Sequence, residues 1–167
     1  DIHTFYLGGH DFGGPVALTL LRLFPDRNVE ALLLSATNLF TDPPVPFPLR
    51  LANIPGLGTA VLRLFTGTRP GLHLLYRLAT YNKAAFRMKD FDRHLTPSAR
   101  RQTWRIFHRS LANLRDTYKE VDAMLPTLDL PTLVLWGDRD PFFSVEMAKR
   151  LVNTLPRGAL SLLEHTG

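Results

Sequence analysis

The chain has 167 residues, of which 45% are hydrophobic and 21% are charged, a composition typical of one globular domain rather than a disordered segment. It contains no cysteine, so it can form neither a disulfide nor a thiolate metal site, which fits a cytoplasmic protein. No apolar run approaches the roughly 20 residues that a membrane span needs. The net charge of +5 comes mostly from single basic residues, with Arg100-Arg101 as the one doublet between residues 38 and 129. A solvated helical face is therefore favoured over a nucleic-acid-binding groove.

The first 37 residues have the pattern of a strand, a helix and a second strand. Residues 4–8 are short, β-branched and aromatic and stop at glycines, which is typical of a buried strand. Residues 13–24 repeat apolar side chains at helical spacing, with Pro15 in the first turn. Residues 29–35 are apolar enough for a strand that is covered on both faces. We expect a right-handed crossover between two parallel strands.

A different pattern runs through residues 38–129. The prolines of residues 43–48 exclude a helix or a central strand and suit a semi-rigid hinge. Helical patterns interrupted by glycines and prolines follow, and they predict an inserted helical cap. Trp104 and His108 lie four residues apart on one helical face, for which core packing is favoured over lining a pocket.

Core patterns return in residues 130–167. Residues 132–136 and 159–164 predict two more strands, with a helix between them that Ser144 begins as N-cap and Pro156 ends. The sequence thus predicts an α/β fold in which helices flank a parallel sheet, divided into a core of residues 1–37, a cap of residues 38–129 and a core of residues 130–167. The oligomeric state stays open.

The strongest motif is Gly9-His10-Asp11-Phe12-Gly13, which has the spacing of a nucleophile elbow with aspartate at its centre. A nucleophile on a strained strand-to-helix turn leaves little room two residues to either side, where Gly9 and Gly13 stand. The helix N-terminus is expected to keep Asp11 ionised, and the backbone N–H of Phe12 is expected to donate to an oxyanion.

A carboxylate nucleophile selects its substrates. It needs no deprotonation, and it forms a stable ester when it attacks a saturated carbon that carries a halide or a strained epoxide oxygen. Hydrolysis of that ester needs a histidine that activates water and an acid that orients the histidine. Asp140, at the carboxyl end of the third predicted strand, is placed for the role of that acid.

Two segments, His10-Asp11-Phe12-Gly13-Gly14 and Trp136-Gly137-Asp138-Arg139-Asp140-Pro141, resemble the haloalkane dehalogenase and epoxide hydrolase branch of the α/β-hydrolase superfamily. The resemblance implies an α/β-hydrolase fold with an inserted helical cap, Asp11 as nucleophile and Asp140 as acid, with Asp138 as a loop carboxylate. It also implies that the visible strands are the C-terminal half of the sheet of a longer chain.

The same resemblance places the catalytic histidine directly after the glycine that follows the last strand, which is Gly167 here. His165 stands only one residue beyond Glu164 at the strand end, so a surface role is favoured for it. The second oxyanion donor of the family comes from a loop after an early strand that precedes the residues of this chain.

Two substrate classes fit an aspartate nucleophile. Dehalogenases of this branch usually carry a tryptophan after the nucleophile, whose indole N–H binds halide, whereas the ring of Phe12 has no donor. Epoxide opening instead needs a phenol donor, and Tyr76, Tyr81 and Tyr118 are available, although none can be assigned.

The sequence therefore predicts hydrolysis of a small apolar epoxide. The alternatives are a haloalkane dehalogenase, a non-catalytic ligand-binding module or inactive fragment, and an esterase with an unusual nucleophile. No metal and no organic cofactor is implied.

Overall fold

The computed structural model describes residues 3–42, 54, 57–84, 87, 89, 92 and 96–167. The side chains of residues 100–101, 104, 107–108 and 110–115 also lie outside this description. The chain divides into two compact units, one formed by Asp1–Pro43 with Arg115–Gly167 and the other by Pro44–Leu114.

Unit 1 is built on a parallel four-stranded sheet. Its strands are β1 (Thr4–His10), β2 (Asn28–Ser35), β3 (Thr132–Gly137) and β4 (Gly158–Leu163), and they lie side by side in chain order. Each predicted strand is present, with β1 two residues longer than the sequence indicated. The predicted α/β fold with a parallel sheet is therefore confirmed.

The register brings the carboxyl ends of all four strands to one edge of the sheet. His10 pairs with Ser35, Ser35 pairs with Leu135, and Gly137 pairs with Leu163. Polar residues that follow different strands, far apart in the chain, are gathered there. Open parallel sheets bind their ligands at this edge.

Helices α1 (Gly13–Leu23) and α5 (Val145–Thr154) pack on the sheet through one apolar stripe each. Leu18 of α1 and Leu151 of α5 are almost completely buried against Leu34, Val134 and other residues of the sheet. Trp136 is 1% exposed and donates its indole N–H to the carbonyl oxygen of Phe143, 2.8 Å away. The indole is therefore part of the core of unit 1.

In the described residues, the two faces of the sheet differ in how exposed their side chains are. Leu33 of β2 and Leu133 of β3 are 39% and 43% exposed, and Tyr6 of the predicted buried strand β1 is 75% exposed. Right-handed crossovers that all advance in one direction along a sheet place their helices on the same face. The strand order β1-β2-β3-β4 therefore places α1 and α5 on the same face of the sheet.

Ser144 occupies the N-cap position of α5, as predicted, but its side chain makes no capping hydrogen bond to the backbone. Its carbonyl oxygen accepts from the N–H of Met147 at 3.0 Å. The pKa of Glu146 is lowered first by a hydrogen bond from its own backbone N–H and then by the Ser144 side chain. The hydroxyl of Ser144 thus interacts with a carboxylate of the first turn.

A long helix, α4 (Pro97–Met124), ends in the core of unit 1. Val121 is 1% exposed, and Leu125, in the 3-10 turn after the helix, is fully buried. Asp122 accepts from the backbone N–H and the hydroxyl of Thr41, both at 3.1 Å. Residues 38–43 and 115–129 therefore belong to unit 1, although the sequence assigned them to the cap.

Unit 2 contains α2 (Gly58–Gly67), α3 (Arg69–Ala79) and the first turns of α4. Thr68 begins α3 as N-cap and accepts from the N–H of Gly71 at 3.1 Å, with Pro70 in the first turn. Leu62 and Leu72 are buried. The helical character predicted for this part of the chain is present, whereas the proline hinge of residues 43–48 lies outside the described residues.

Within the described part of the chain, no helix combines the length and the apolar character that crossing a bilayer requires.

Candidate active site

Asp11 stands on the bend between β1 and α1 with a left-handed backbone, at φ 51°. Such a conformation in a residue other than glycine costs about 1–3 kcal/mol and persists only where its surroundings enforce it. The N–H of Asp11 donates to the carbonyl oxygens of Ser35 and Ala36 at 3.2 and 3.1 Å. Its own carbonyl accepts from the N–H of Gly14 at 3.2 Å. The bend is thus held by the loop that follows the neighbouring strand.

A side chain from the same loop completes this frame. The hydroxyl of Thr37 donates to the carbonyl oxygen of Asp11 at 2.5 Å, and Thr37 is only 2% exposed. One residue earlier, His10 places its ring nitrogen Nδ1 at 3.1 Å from the carbonyl oxygen of Ser35. We call residues 35–37 the β2 exit loop.

Two glycines allow the close approach of these elements. A Cβ atom on Gly9 would lie 2.6 Å from the carbonyl oxygen of Gly13, so the steric reason predicted for Gly9 holds. The same reason predicted for Gly13 was wrong, because a Cβ atom there would meet nothing within 4 Å. The second restricted position is Gly14, where a Cβ atom would lie 2.1 Å from the hydroxyl oxygen of Thr37.

The Asp11 carboxylate is partly desolvated, and four influences act on it. Burial raises its pKa most, the charge of His10 lowers it, the charge of Asp140 raises it, and a hydrogen bond from the backbone N–H of Phe12 lowers it. The net direction is upward from the ordinary aspartate value. Burial is the main cause of this upward direction, and the hydrogen bond from the N-terminus of α1 opposes it. That Asp11 is ionised stays a prediction.

Phe12 occupies the N-cap position of α1, and the residue is 43% exposed. Its backbone N–H is directed at the Asp11 carboxylate, whose pKa it lowers after the larger effects of burial and the charges. The residue predicted as an oxyanion donor therefore has its N–H beside the predicted nucleophile. Its role during a reaction stays a prediction.

Asp140 follows β3 at the same edge of the sheet and is half-buried. Its Oδ1 atom accepts from the backbone N–H groups of Phe142 and Phe143, both at 2.8 Å. These bonds fix the carboxylate in one orientation. Because the charge of Asp140 contributes to the raised pKa of Asp11, after burial and against the opposing effect of His10, the two predicted acids share one electrostatic environment.

Hydrogen bonds from the backbone and from the Asp138 side chain tie the turns after β3 and β4 together. Asp138 accepts from the N–H of Thr166 at 3.2 Å, and the N–H of Arg139 donates to the carbonyl oxygen of Thr166 at 2.9 Å. The predicted character of Asp138 as a loop carboxylate agrees with these bonds. A Cβ atom on Gly167 would lie 2.6 Å from the backbone nitrogen of Asp140. The β4 exit therefore lies directly against the acid.

His165 lies in the turn after β4, exposed and in a left-handed conformation at φ 54°. Tyr76 and Tyr81 belong to unit 2, and the side chains of Trp104 and His108 lie outside the described residues.

Tyr118 of α4 is the candidate phenol that belongs to unit 1. Burial raises its pKa, a hydrogen bond with the Asn38 side chain opposes the shift, and the charge of Asp11 adds to it. Asn38 is 6% exposed and also bonds the backbone of Phe40 in both directions, at 2.9 and 3.3 Å. Asp11, Tyr118 and Asn38 thus form one polar group beside the bend.

Sequence reasoning missed Thr37 and Asn38 as site residues. The signal was present in the chain, because both follow the carboxyl end of the strand next to β1, where parallel sheets gather their ligands. The sequence division places Thr37 at the end of the first core segment and Asn38 at the start of the cap. Only the pairing of β1 with β2 shows that this loop adjoins the elbow.

The family model described as alpha/beta hydrolase fold matches residues 1–167 of the chain. A comparison with curated proteins gave no match.

Solved structures of hydrolases share the fold. One is a 2-hydroxy-6-oxo-6-phenylhexa-2,4-dienoate hydrolase from Rhodococcus sp. strain RHA1, with 20% identity and a TM-score of 0.75. A serine hydrolase from the polyaromatic-hydrocarbon-degrading bacterium Cycloclasticus zankles has 19% identity and a TM-score of 0.72. A meta-cleavage product hydrolase from Pseudomonas fluorescens IP01 has 18% identity and a TM-score of 0.62. The matches cover 99% of this chain and 58% of each of these three chains.

Proposed function

Since the chain belongs to the α/β-hydrolase fold family, we propose that it carries the nucleophile and the acid of a hydrolase that works through an aspartyl ester. The observation that carries the proposal is the left-handed backbone of Asp11 at the strand-to-helix bend, with its carboxylate in the electrostatic range of Asp140. Strained residues of this kind concentrate at functional sites.

The proposed reaction has two steps. A carboxylate oxygen of Asp11 attacks a saturated carbon of an epoxide, the ring carbon–oxygen bond breaks, and the alkoxide takes a proton. Water then attacks the carbonyl carbon of the ester, which releases a diol and regenerates Asp11 with one oxygen from water. Asp140 orients the histidine that activates this water.

That histidine is the residue that the family resemblance places directly after Gly167. Gly167 packs against the backbone of Asp140, which supports this arrangement. A residue that directly follows Gly167 would begin close to the Asp140 carboxylate. His165 is a weaker candidate, since its side chain is exposed.

Tyr118 favours an epoxide over a haloalkane. A phenol beside the nucleophile can donate the proton that the opening epoxide requires, and the pKa of Tyr118, raised mainly by burial, also responds to the charge of Asp11. Phe12 has no N–H on its ring to bind a departing halide. Dehalogenation is the alternative within the same chemistry, because its first step forms the same ester.

The test uses the complete gene product that contains this chain. It is incubated with a small aryl epoxide and, separately, with a 1-haloalkane, in water labelled with heavy oxygen. After several turnovers, mass spectrometry of the peptide that contains Asp11 should show incorporation of one heavy oxygen with the epoxide. Asp11→Ala should abolish turnover, while Asp26→Ala, at an exposed turn between α1 and β2, should retain it.

Label with the haloalkane alone would establish dehalogenation instead. Turnover of either substrate without label in Asp11 would overturn the aspartyl-ester mechanism. Saturable binding with no turnover would identify a ligand-binding module.

A further inference from the structure

The β2 exit loop holds the elbow by contacts that reach both sides of the Asp11 peptide. Asp11 donates its N–H into the loop, to Ser35 and Ala36, and receives the Thr37 hydroxyl on its carbonyl oxygen. The first two contacts use carbonyl oxygens, which any residue would supply. The third depends on the side chain of Thr37.

The Thr37 side chain is buried and packs against Gly14. It is 2% exposed, and its hydroxyl lies against the face of Gly14 where a Cβ atom would come within 2.1 Å. The first turn of α1 therefore accepts the threonine only because residue 14 is glycine. This packing directs the hydroxyl at the Asp11 carbonyl.

From this geometry we propose that Thr37 is a positioning residue that holds Asp11 in its left-handed conformation and so aims the carboxylate at the substrate. A left-handed aspartate relaxes toward ordinary dihedral angles when nothing opposes the change. The hydroxyl opposes it by fixing the carbonyl oxygen that follows the strained φ and ψ angles. The proposal rests on the proposed role of Asp11, and it concerns a residue that does not itself touch the substrate.

A matched control exists at the other end of the sheet. Thr132 at the start of β3 is 3% exposed and donates its hydroxyl to the carbonyl oxygen of Leu130 at 3.0 Å. Thr37→Ala and Thr132→Ala each remove one buried hydroxyl and one methyl group. They differ in the acceptor of the lost hydrogen bond, which is the carbonyl oxygen of Asp11 for Thr37 and that of Leu130 for Thr132.

The experiment measures kcat and KM of the complete gene product with the substrate that labels Asp11. We expect Thr37→Ala to lower kcat by about 10²-fold with little change in KM, since a displacement of about 1 Å can cost this much. Thr37→Ser keeps the hydroxyl and should restore most of kcat. Thr132→Ala should leave both constants near the wild-type values, and melting curves should show that both alanine variants fold.

A second readout does not depend on turnover. Carboxylate NMR of the protein labelled at aspartate should show the pKa of Asp11 moving down toward the ordinary value in Thr37→Ala, because the released carboxylate becomes better hydrated. Thr37→Ser should keep the wild-type titration.

Wild-type kinetics and an unchanged Asp11 titration in a folded Thr37→Ala variant would overturn the proposal. Equal losses in Thr37→Ala and Thr37→Ser would also overturn it, since the hydroxyl would then not be the active group. If the wild-type protein turns over neither substrate, the NMR titration still tests Thr37, so failure of the proposed function is distinguished from failure of this inference.

Discussion

Two carboxylates stand at the same edge of one sheet, and they differ in backbone conformation and in hydrogen bonding. Asp11 follows β1 in a left-handed conformation, and its pKa is raised by burial above all and by the charge of Asp140, against His10 and the Phe12 N–H. Asp140 follows β3 and gives one oxygen to two backbone N–H groups at 2.8 Å. Asp11 thus has a strained backbone and a poorly solvated carboxylate, whereas one oxygen of Asp140 is held by two donors.

The difference matches what the two proposed roles require. A nucleophile needs carboxylate oxygens that face the substrate and are already poorly hydrated. The bend at Asp11, which the β2 exit loop holds in place, provides such oxygens. An orienting acid needs one fixed direction, which its two backbone donors supply. The same side-chain chemistry thus serves two purposes because the loops around it differ.

The largest expected effect separates the two acids by reaction step. Asp11→Asn should abolish ester formation, lowering turnover by about 10⁴-fold or more, as the loss of a nucleophile does. Asp140→Asn keeps the oxygen that accepts from Phe142 and Phe143 and loses the charge, so it should lower turnover by about 10²–10⁴-fold by slowing hydrolysis of the ester. Rapid quenching and mass spectrometry of intact protein should find the alkyl-enzyme accumulating in Asp140→Asn alone. Accumulation in neither variant would contradict the assignment of steps.

A second contrast concerns how each of the two acids affects the stability of the folded protein. The pKa of Asp11 is raised in the folded state, so its ionised form opposes folding, an effect that is absent at low pH and develops as the pH rises through the folded pKa. Asp11→Asn should therefore raise the melting temperature at neutral pH, and the gain should shrink on acidification. Asp140→Asn should destabilise the protein by about 1 kcal/mol, because its two hydrogen bonds lose their charge assistance. Denaturant unfolding of both variants measures these changes. If the free energy of unfolding shifts in the same direction in both, the contrast between the two acids is contradicted.

A third test uses the charges around Asp11. Only the ionised carboxylate attacks, so the single-turnover rate of ester formation should fall as the pH drops through the raised pKa of Asp11. Burial remains the main cause of the shift. Removing the charge of Asp140 in Asp140→Asn should move this acid limb to lower pH, and His10→Gln should move it to higher pH, since His10 lowers the pKa. Rate profiles that superimpose in all three proteins would show that these charges do not act on the nucleophile.

The smallest expected effect concerns the choice between haloalkane and epoxide substrates, which we expect the side chain of residue 12 to influence. Phe12→Trp adds an indole N–H next to the nucleophile, at a position whose side chain is 43% exposed and so has space to enlarge. One added hydrogen bond of about 1 kcal/mol should raise haloalkane turnover about fivefold relative to epoxide turnover. Competition between the two substrates in one reaction measures that ratio directly. An unchanged ratio would indicate that the ring of residue 12 does not face the leaving group.

Most of the sheet could be predicted from sequence, because short apolar strands and their glycine and proline boundaries are local signals. The elbow was also visible, since Gly9, Asp11 and the start of α1 lie within a few residues of one another. Which face α1 and α5 cover could not be predicted, because apolar content does not reveal the strand order that decides it. The sequence also assigns residues 115–129 to the cap rather than to unit 1. Val121 and Leu125 have the same apolar pattern whether they pack in a cap or in the core.

The sequence by itself determined the class of fold, the position of Asp11 on a glycine-flanked turn and the candidacy of Asp140, since each depends on neighbours in the chain. Only the tertiary structure decided that Thr37 and Asn38 adjoin the elbow. It also decided that the pKa of Asp11 is raised, first by burial and then, against the charge of His10, by the charge of Asp140. These properties depend on the pairing of β1 with β2 and of β2 with β3. Strand pairing joins segments that are separated by up to about a hundred residues, and no local pattern specifies the contacts it creates.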